Sequence, residues 1–398
     1  MKAVTFCWFV NVLILLDTTT CSNGEKKDGS TITPPGHNLP FGSHTTPFEV
    51  PVVDKFPTPN VFFEEYMHKS RPLVIRSILN LTTFPAVVKW TDDFFRKEVG
   101  EEYIDAEPAR KENRNLTPEQ MTMRSFLQQY ADRELYLVSG IDVFRAKDKL
   151  KDDLYVPRSL HCGGLQYLIE SLVMWFSSGG TKSVLHNDDY ENFNCVLDGT
   201  KELIFVDTKH REQVQADGYH EDGSYSDVDV DKVDMHKFPR LGEVPVYKAV
   251  LHKGDCLYIP YQWYHQVNSP GGRSLAINFW FLPTRWFNTS DCQNKDLQHQ
   301  TQPSSKFGIG QNQIQAWNKF TWSFQEKETS KAKYKEAIST DFPKSQFLQD
   351  ELFKDLDKDG SLSLSVEELY NVDINKILQK YPSLDAALTA EDITHDEL

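Results

Sequence analysis

The sequence lacks an excess of positive charge and lacks apolar runs of membrane-spanning length. Its 43 Lys and Arg residues stand against 58 Asp and Glu residues, and the net charge of −15 argues against a nucleic-acid binder held by phosphate contacts. The apolar run at residues 3–16 is too short for a comfortable membrane span. We therefore expect no nucleic-acid partner and no stable membrane span.

Cysteine is also scarce. The six cysteines include no Cys-X-X-Cys pair and no dense framework, so their spacing does not define a disulfide pattern. Cys195 and Cys256 lie inside apolar, strand-like runs and are predicted to be small core residues. By contrast, 39% hydrophobic and 12% aromatic residues are enough for a sizeable core. The length of 398 residues predicts one large domain plus a smaller piece.

Both ends of the sequence have the composition of targeting signals. Lys2, the apolar run and the small polar residues 18–22 predict a secretory signal peptide over residues 1–20, with a membrane anchor as the alternative. Residues 395–398 read His-Asp-Glu-Leu, an endoplasmic-reticulum (ER) retention signal. The expected location is therefore the ER lumen, with the retrieval receptor as a partner. Asn80, Asn115 and Asn288 begin glycosylation sequons, which predict a glycoprotein.

The middle of the chain is dominated by short strand patterns. Residues 21–45 form a predicted flexible linker, Pro59 begins a predicted helix, and Thr91 is a predicted helix cap. From residue 171 onward apolar runs alternate with turn signals, and Asp198-Gly199 between two such runs predicts a hairpin. Residues 207–245 form a polar, acidic excursion. Many short strands with few helices indicate a sandwich or barrel.

A metal site is predicted from three residues. His186 and Asp188 are two positions apart, so on a strand both side chains lie on one face and can reach the same ion. His265 would complete a set of two histidines and one carboxylate. Such a set leaves coordination positions open and is typical of non-haem Fe(II) oxygenases.

A second metal site is predicted near the C-terminus, where residues 355–369 resemble an EF-hand calcium loop in two competing registers. A loop starting at Asp355 has Gly360 at the turn but Val366 in place of the bidentate glutamate. A loop starting at Asp357 ends on Glu368 but has Leu362 at the turn position. We favour the second register, because losing the bidentate carboxylate weakens binding more than a strained turn. Its predicted calcium ligands are Asp357, Asp359, Ser361, Ser363 and Glu368; a solvated acidic turn is the alternative.

Residues 48–287 resemble the JmjC domain, in the cupin-like group that includes asparaginyl and lysyl hydroxylases acting on proteins. The resemblance rests on six fragments in family order: residues 183–188 (SVLHND), 192–193 (NF), 199–201 (GTK), 254–260 (GDCLYIP), 263–265 (WYH) and 278–280 (NFW). It implies a mainly β fold with flanking helices, namely a double-stranded β-helix (jelly roll). The implied domains are a JmjC-like domain at 46–287 with a barrel core at about 171–282, a helical extension at 288–340, and a small helical EF-hand-like region at 341–394.

The resemblance also implies roles for individual residues. His186, Asp188 and His265 would bind Fe(II), and Lys201 would pair with the distal carboxylate of 2-oxoglutarate. Further positions around the metal and co-substrate would be Tyr136, Ser183, Asn192 and Asn278. Arg273 is a competing anchor, because some other barrel oxygenases place a basic residue shortly after the second histidine.

Two functions follow as hypotheses. The first is an ER-lumenal oxygenase dependent on Fe(II) and 2-oxoglutarate that hydroxylates a side chain of a protein or peptide in the secretory pathway. The second is a non-catalytic lumenal binding or scaffold protein with the same fold and calcium-linked contacts.

Overall fold

The computed structural model describes residues 33–108, 112, 116–293, 302–310, 313–341 and 348–389. The features below belong to the unit that begins at Pro34. The predicted signal peptide, the sequon residue Asn115 and the retention signal at 395–398 lie outside the described residues. Within the described ranges, no helix has both the length and the apolar character needed to cross a membrane.

Eighteen strands are found in the described residues. They are β1 (Phe48–Glu49), β2 (Val52–Val53), β3 (Leu73–Ile75), β4 (Tyr103–Glu107), β5 (Glu119–Thr122), β6 (Tyr136–Gly140), β7 (Ile169–Ser177), β8 (Thr181–Lys182), β9 (Glu191–Asp198), β10 (Thr200–Val206), β11 (Tyr219–His220), β12 (Tyr225–Ser226), β13 (Tyr247–His252), β14 (Cys256–Ile259), β15 (Tyr264–Ser269), β16 (Ser274–Phe281), β17 (Glu328–Ser330) and β18 (Ser363–Ser365). Nine form a large sheet in the order β2-β3-β14-β9-β16-β7-β6-β4-β5, and five form a small sheet in the order β1-β13-β10-β15-β8.

The helices flank these sheets. The α-helices are α1 (Pro59–Phe62), α2 (Ala86–Lys89), α3 (Asp92–Glu98), α4 (Met123–Gln129), α5 (Lys147–Asp152), α6 (Arg211–Val214), α7 (Gln313–Trp322), α8 (Lys331–Asp341), α9 (Phe353–Leu356), α10 (Val366–Tyr370), α11 (Ile374–Lys380) and α12 (Pro382–Thr389). Short 3-10 helices cover Ile141–Val143, Arg158–Leu160, Leu165–Leu168, Thr208–His210, Pro239–Glu243, Thr289–Cys292 and Ser304–Lys306, and π-helical turns cover Phe63–Met67 and Leu348–Leu352. The predicted helix at Pro59 and the Thr91 cap are confirmed, and the Thr91 hydroxyl accepts a hydrogen bond from N of Phe94 at 3.2 Å.

The alternation of side chains along the strands builds three apolar layers. On β9, Phe193 and Cys195 face a core under the N-terminal helices, whereas Val196 faces a core between the two sheets. On β10, Leu203 and Phe205 enter that same inter-sheet core. A third core lies between the small sheet and the excursion at residues 207–245. The result is a sheet-rich, jelly-roll-like barrel with flanking helices, as predicted.

The predicted hairpin at Asp198-Gly199 is wrong. The turn is present, with Gly199 at φ +78°, but β9 pairs with β14 and β16 while β10 pairs with β13 and β15. The chain therefore turns a corner from one sheet into the other. An Asp-Gly signal reports a local reversal, and only the long-range partners of the two strands decide whether they pair.

The prediction that Cys195 and Cys256 are small core residues is confirmed, and the structure adds that they pair with each other. They stand directly opposite each other on β9 and β14 and form a disulfide, and Cys162 forms a second disulfide with Cys292. Both partners of the first pair are fully buried, so their apolar surroundings were predicted correctly. Their pairing depends on strand register, which spacing along the sequence does not define.

The C-terminal region forms a helical unit with its own core, and it packs against the barrel. Its core includes Trp317, Tyr334 and Leu369. The side chain of Gln315 donates to O of Ile169 at 2.8 Å, at the start of β7. Strands β17 and β18 pair antiparallel within the unit.

Candidate metal centre

The segment that carries His186 and Asp188 runs beside the second histidine strand. N of His265 donates to O of His186 at 2.7 Å, and N of His186 donates to O of His265 at 3.1 Å. On the other side, N of Ser226 donates to O of Leu185 at 2.8 Å. Leu185 belongs to the third core, between the small sheet and residues 207–245, so the alternation of side chains directs His186 and Asp188 into the barrel.

The three predicted ligands converge. Nε2 of His186 lies 3.9 Å from one carboxylate oxygen of Asp188, and Nε2 of His265 lies 3.6 Å from the other. One ligand atom from each residue lies within 4.8 Å of the others. Two nitrogens and one oxygen at such separations can bind one divalent ion on one face and leave the opposite positions open.

Hydrogen bonds to the backbone orient both imidazoles. Nδ1 of His186 lies 2.9 Å from O of Val184, and Nδ1 of His265 lies 2.9 Å from O of Trp263. A carbonyl accepts, so each Nδ1 carries the proton and each Nε2 presents its lone pair to a metal. Burial, followed by the charge of His186, lowers the pKa of His265 to about 4, which keeps this ligand neutral at physiological pH.

Lys201 lies on the same interior face, deeper in the barrel. Phe205 stands opposite His265 in the β10–β15 ladder, and Lys201 is four residues from Phe205 on the same side of the strand. Its Nζ donates to the hydroxyl of Ser269 at 3.2 Å, and burial alone lowers its pKa to about 8. A buried ammonium group with one neutral partner is unfavourable unless an anion binds beside it.

Ser269, the hydrogen-bond partner of Lys201, is the first of a series of hydroxyl groups that the sequence did not reveal. Thr181 stands opposite Ser269 in the β8–β15 pair, and its hydroxyl lies 3.2 Å from that of Ser177. Ser177 in turn stands opposite the predicted residue Tyr136. These hydroxyls can donate to an anionic oxygen held by the ammonium. Ser269 lies four residues after His265 on β15 and therefore on the same face of the strand. This spacing in the sequence could have indicated that Ser269 lies near the site.

Amide groups line the opposite wall. The side chain of Asn194 donates to Oδ1 of the predicted residue Asn278, its cross-strand neighbour. The predicted residue Asn192 is two positions before Asn194, on the same face. Asn194 was not predicted, although this alternation with Asn192 could have indicated it.

The interior face retains polar atoms that need a ligand or water. Among the described residues, Oδ1 of Asn192, Oδ1 of Asn194, Nε1 of Trp175 and Nε1 of Trp280 are buried without a hydrogen-bond partner. Such atoms cost free energy unless they are paired. Together with the buried ammonium they fit a small, polar, anionic molecule bound next to a metal ion.

Two other predicted positions are engaged by the protein itself. The hydroxyl of Ser183 accepts from N of Val267 at 2.8 Å and donates to O of Val184 at 3.0 Å. It therefore connects the segment that carries His186 and Asp188 to β15. Arg273, the competing anchor, donates to Asp92 at 2.8 Å and to Asp198 at 2.7 Å. It therefore joins the corner after β9 to α3.

The predicted calcium residues also lie together. Carboxylate oxygens of Asp357, Asp359 and Glu368 fall within 4.8 Å of one another. Leu362 has φ +63°, the conformation that the Asp357 register requires at its turn position. Asp355, which opens the competing register, instead binds Lys380 at 2.5 Å and Tyr381 at 2.7 Å. Ser361 and Ser363 lie within the same loop, with their hydroxyls 3.1 Å apart.

The fold and the site define a class: a jelly-roll barrel with a two-histidine, one-carboxylate metal centre. Comparison with known proteins agrees, because a family model described as a cupin-like domain matches residues 59–285. The chain belongs to this cupin-like family.

Three relatives of this chain carry names that describe lysine chemistry. The chain is 25% identical over 284 residues to the human bifunctional peptidase and (3S)-lysyl hydroxylase JMJD7, covering 59% of this chain and 84% of the relative. It is 25% identical over 236 residues to lysine-specific demethylase 8 of Xenopus tropicalis and 26% identical over 227 residues to lysine-specific demethylase JMJ30 of Arabidopsis thaliana. Each of these two alignments covers 55% of this chain, and they span 50% and 52% of the relatives.

Proposed function

We propose that the protein is an Fe(II)- and 2-oxoglutarate-dependent oxygenase that hydroxylates a side chain of a protein substrate. The observation that carries this proposal is the buried, unneutralised ammonium of Lys201 on the same barrel face as the metal-binding set. Four residues of strand separate Lys201 from the position opposite His265, about 13 Å along the chain. A lysine side chain and a five-carbon dicarboxylate can span that length between them.

Two groups of residues would have separate roles, one in binding the metal and one in binding the co-substrate. His186, Asp188 and His265 would hold the metal, and Lys201 with the hydroxyls of Ser269 and Thr181 would hold the distal carboxylate of the co-substrate. When bound, iron and 2-oxoglutarate supply the activation of O₂ for insertion into a C–H bond. The protein contributes two oriented imidazoles and a buried interior that strengthens the pairing of Lys201 with its anion.

The test is 2-oxoglutarate turnover with added Fe(II), followed as succinate release. We expect turnover by the wild type and loss of it in His186→Ala and Asp188→Ala. His220→Ala is the matched control, because His220 is exposed and its Nε2 lies 2.8 Å from Oδ1 of Asp227. Equal background release by all four proteins would refute the enzyme and favour the non-catalytic binding or scaffold protein.

We also propose the ER lumen as the site of action, with secretory-pathway proteins as substrates and the retrieval receptor as a partner. The two disulfides support this proposal, because disulfides persist mainly in oxidising compartments. A tagged full-length chain is expected to co-localise with an ER marker, and deletion of residues 395–398 is expected to release it into the medium. Cytosolic staining of the full-length chain would refute the location.

The C-terminal loop is a second candidate site, and we propose that it binds calcium. The clustered carboxylates of Asp357, Asp359 and Glu368 and the turn at Leu362 support this proposal. Calorimetry of the full chain with Ca²⁺ should show binding that Glu368→Ala abolishes. Asp355→Asn is the control and should bind as the wild type does. No heat from the wild type would reject the site, and loss of binding in Asp355→Asn would favour the other register.

A further inference from the structure

The two segments that carry the metal ligands are fastened together by side chains outside the ligand set. His265 follows a turn at residues 260–263, which joins β14 to β15. Gln262 in this turn donates from its backbone N to O of Asp188 at 3.0 Å, and from its side chain to Oδ1 of Asp189 at 2.9 Å. The position of the turn therefore decides how far His265 lies from Asp188.

Glu191 makes the buried part of this connection. It begins β9, three residues after Asp188, and only 5% of its surface is exposed. A single carboxylate oxygen, Oε2, accepts the phenol O–H of Tyr258 at 2.6 Å and the backbone N–H of Tyr261 at 2.9 Å. One acceptor thus holds the last part of β14 and the first part of the turn against the strand that follows Asp188.

Glu191 does not face the metal. Side chains alternate along β9, so Asn192 points into the barrel while Glu191 points to the opposite side, where fully buried Tyr258 lies in the core under the N-terminal helices. A carboxylate in that position is costly to bury without hydrogen bonds. Its two donors both belong to the segment that leads to His265, and this accounts for a polar group at a site where an apolar side chain would pack.

We propose that Glu191 is a positioning residue that fixes the separation between Asp188 and His265 and thereby sets the affinity and geometry of the metal centre. This inference rests on the proposed metal site. It assigns a role in metal binding to a residue that is not a ligand and does not contact the co-substrate wall. Tyr258 and the backbone of Tyr261 are the groups through which Glu191 acts.

The experiment measures Mn²⁺ affinity by calorimetry and the ligand-field absorption of bound Co²⁺, both with the full chain. Glu191→Ala should weaken Mn²⁺ binding about tenfold or more and change the Co²⁺ spectrum, as expected when a residue that supports metal ligands is lost. Glu191→Gln keeps an oxygen acceptor and should stay within about threefold of the wild type. Tyr258→Phe removes one of the two donors and should lie between them.

The matched control is Asp153→Asn. Asp153 is also 5% exposed and also accepts from two side chains, Lys89 at 2.6 Å and Trp90 at 3.3 Å, but none of its partners belongs to the metal-ligand segments. We expect it to lower thermal stability while leaving the Mn²⁺ affinity and the Co²⁺ spectrum unchanged.

Wild-type affinity and an unchanged Co²⁺ spectrum in Glu191→Ala would overturn the inference while leaving the metal site intact. If Glu191→Ala does not fold, the same result in Tyr258→Phe would overturn it. A wild type that binds neither Mn²⁺ nor Co²⁺ would instead refute the metal centre and both proposals with it.

Discussion

His186 and His265 exchange two backbone hydrogen bonds, of 2.7 and 3.1 Å, although they are far apart in the sequence. Their rings lie 4.2 Å apart, measured between ring centres, and both present Nε2 towards Asp188. The geometry of the site therefore comes from the backbone pairing of two segments that are distant in the sequence. Side-chain substitutions around this pair should alter ligand binding before they alter the fold.

Replacing Lys201 should make the ligand-free protein more stable and at the same time abolish binding of the co-substrate. Below pH 8 its ammonium is buried without a counter-charge, so Lys201→Met should stabilise the ligand-free protein by about 1–3 kcal/mol at pH 7. The gain should shrink as the pH rises from about 8 towards 10.5, because the folded wild type releases this proton near pH 8 while the unfolded chain keeps it until about pH 10.5. Urea unfolding measures the gain.

The same variant should lose its co-substrate. With Mn²⁺ present, 2-oxoglutarate should raise the melting temperature of the wild type but not that of Lys201→Met. Lys182→Met is the control, because Lys182 is partly exposed and pairs with Asp231, and it should respond to 2-oxoglutarate as the wild type does. An equal thermal shift in all three proteins would contradict the assignment of Lys201.

Glu191 should give the protein a recognisable pH dependence of stability. Burial raises its pKa from 4.5 to about 7, so between these values the folded chain holds a proton that the unfolded chain has released. The stability that this group contributes is complete below pH 4.5 and is lost as the pH rises towards 7, by at most about 1.4 kcal/mol per pH unit. Glu191→Gln cannot titrate, so the difference in unfolding free energy between the two proteins should change over this range. Parallel curves for the two proteins would contradict the prediction.

Replacing Leu362 by glycine should make the folded protein more stable. It adopts φ +63° and its side chain is 64% exposed, so substitution removes backbone strain and little packing. Leu362→Gly should raise the unfolding free energy by about 0.5–1 kcal/mol. Gln262→Gly is an informative control, because Gln262 has φ +58° but its side chain also binds Asp189 at 2.9 Å, and no gain is expected there. A loss of stability in Leu362→Gly would show that the loop does not adopt this turn.

The disulfides should be detectable by alkylation and should stabilise the fold. Cys162, Cys195, Cys256 and Cys292 should take up no iodoacetamide in the denatured, unreduced protein and should react after reduction. The bridged residues are 61 and 130 positions apart, so each bridge restricts a long loop of the unfolded chain and should contribute about 2–5 kcal/mol. Labelling of any of these four cysteines before reduction would contradict the pairing.

The sequence by itself determined the local patterns of this protein. Alternation and turn signals located most of the barrel strands, and the spacing of His186 and Asp188 placed both on one face. The Thr91 cap and the left-handed turn at Leu362 are equally local, since each depends on the conformation of a few consecutive residues. Such features can be inferred because backbone sterics and side-chain periodicity act over short distances.

Only the tertiary structure decided which distant residues meet. The corner at Asp198-Gly199, the Cys195–Cys256 bridge and the hydroxyls of Ser269 and Thr181 around Lys201 all depend on which strands pair and in what register. So does the position of Glu191 beneath the turn that leads to His265. Register is a collective property of two packed sheets, because shifting one strand by one residue reverses the face of every side chain on it.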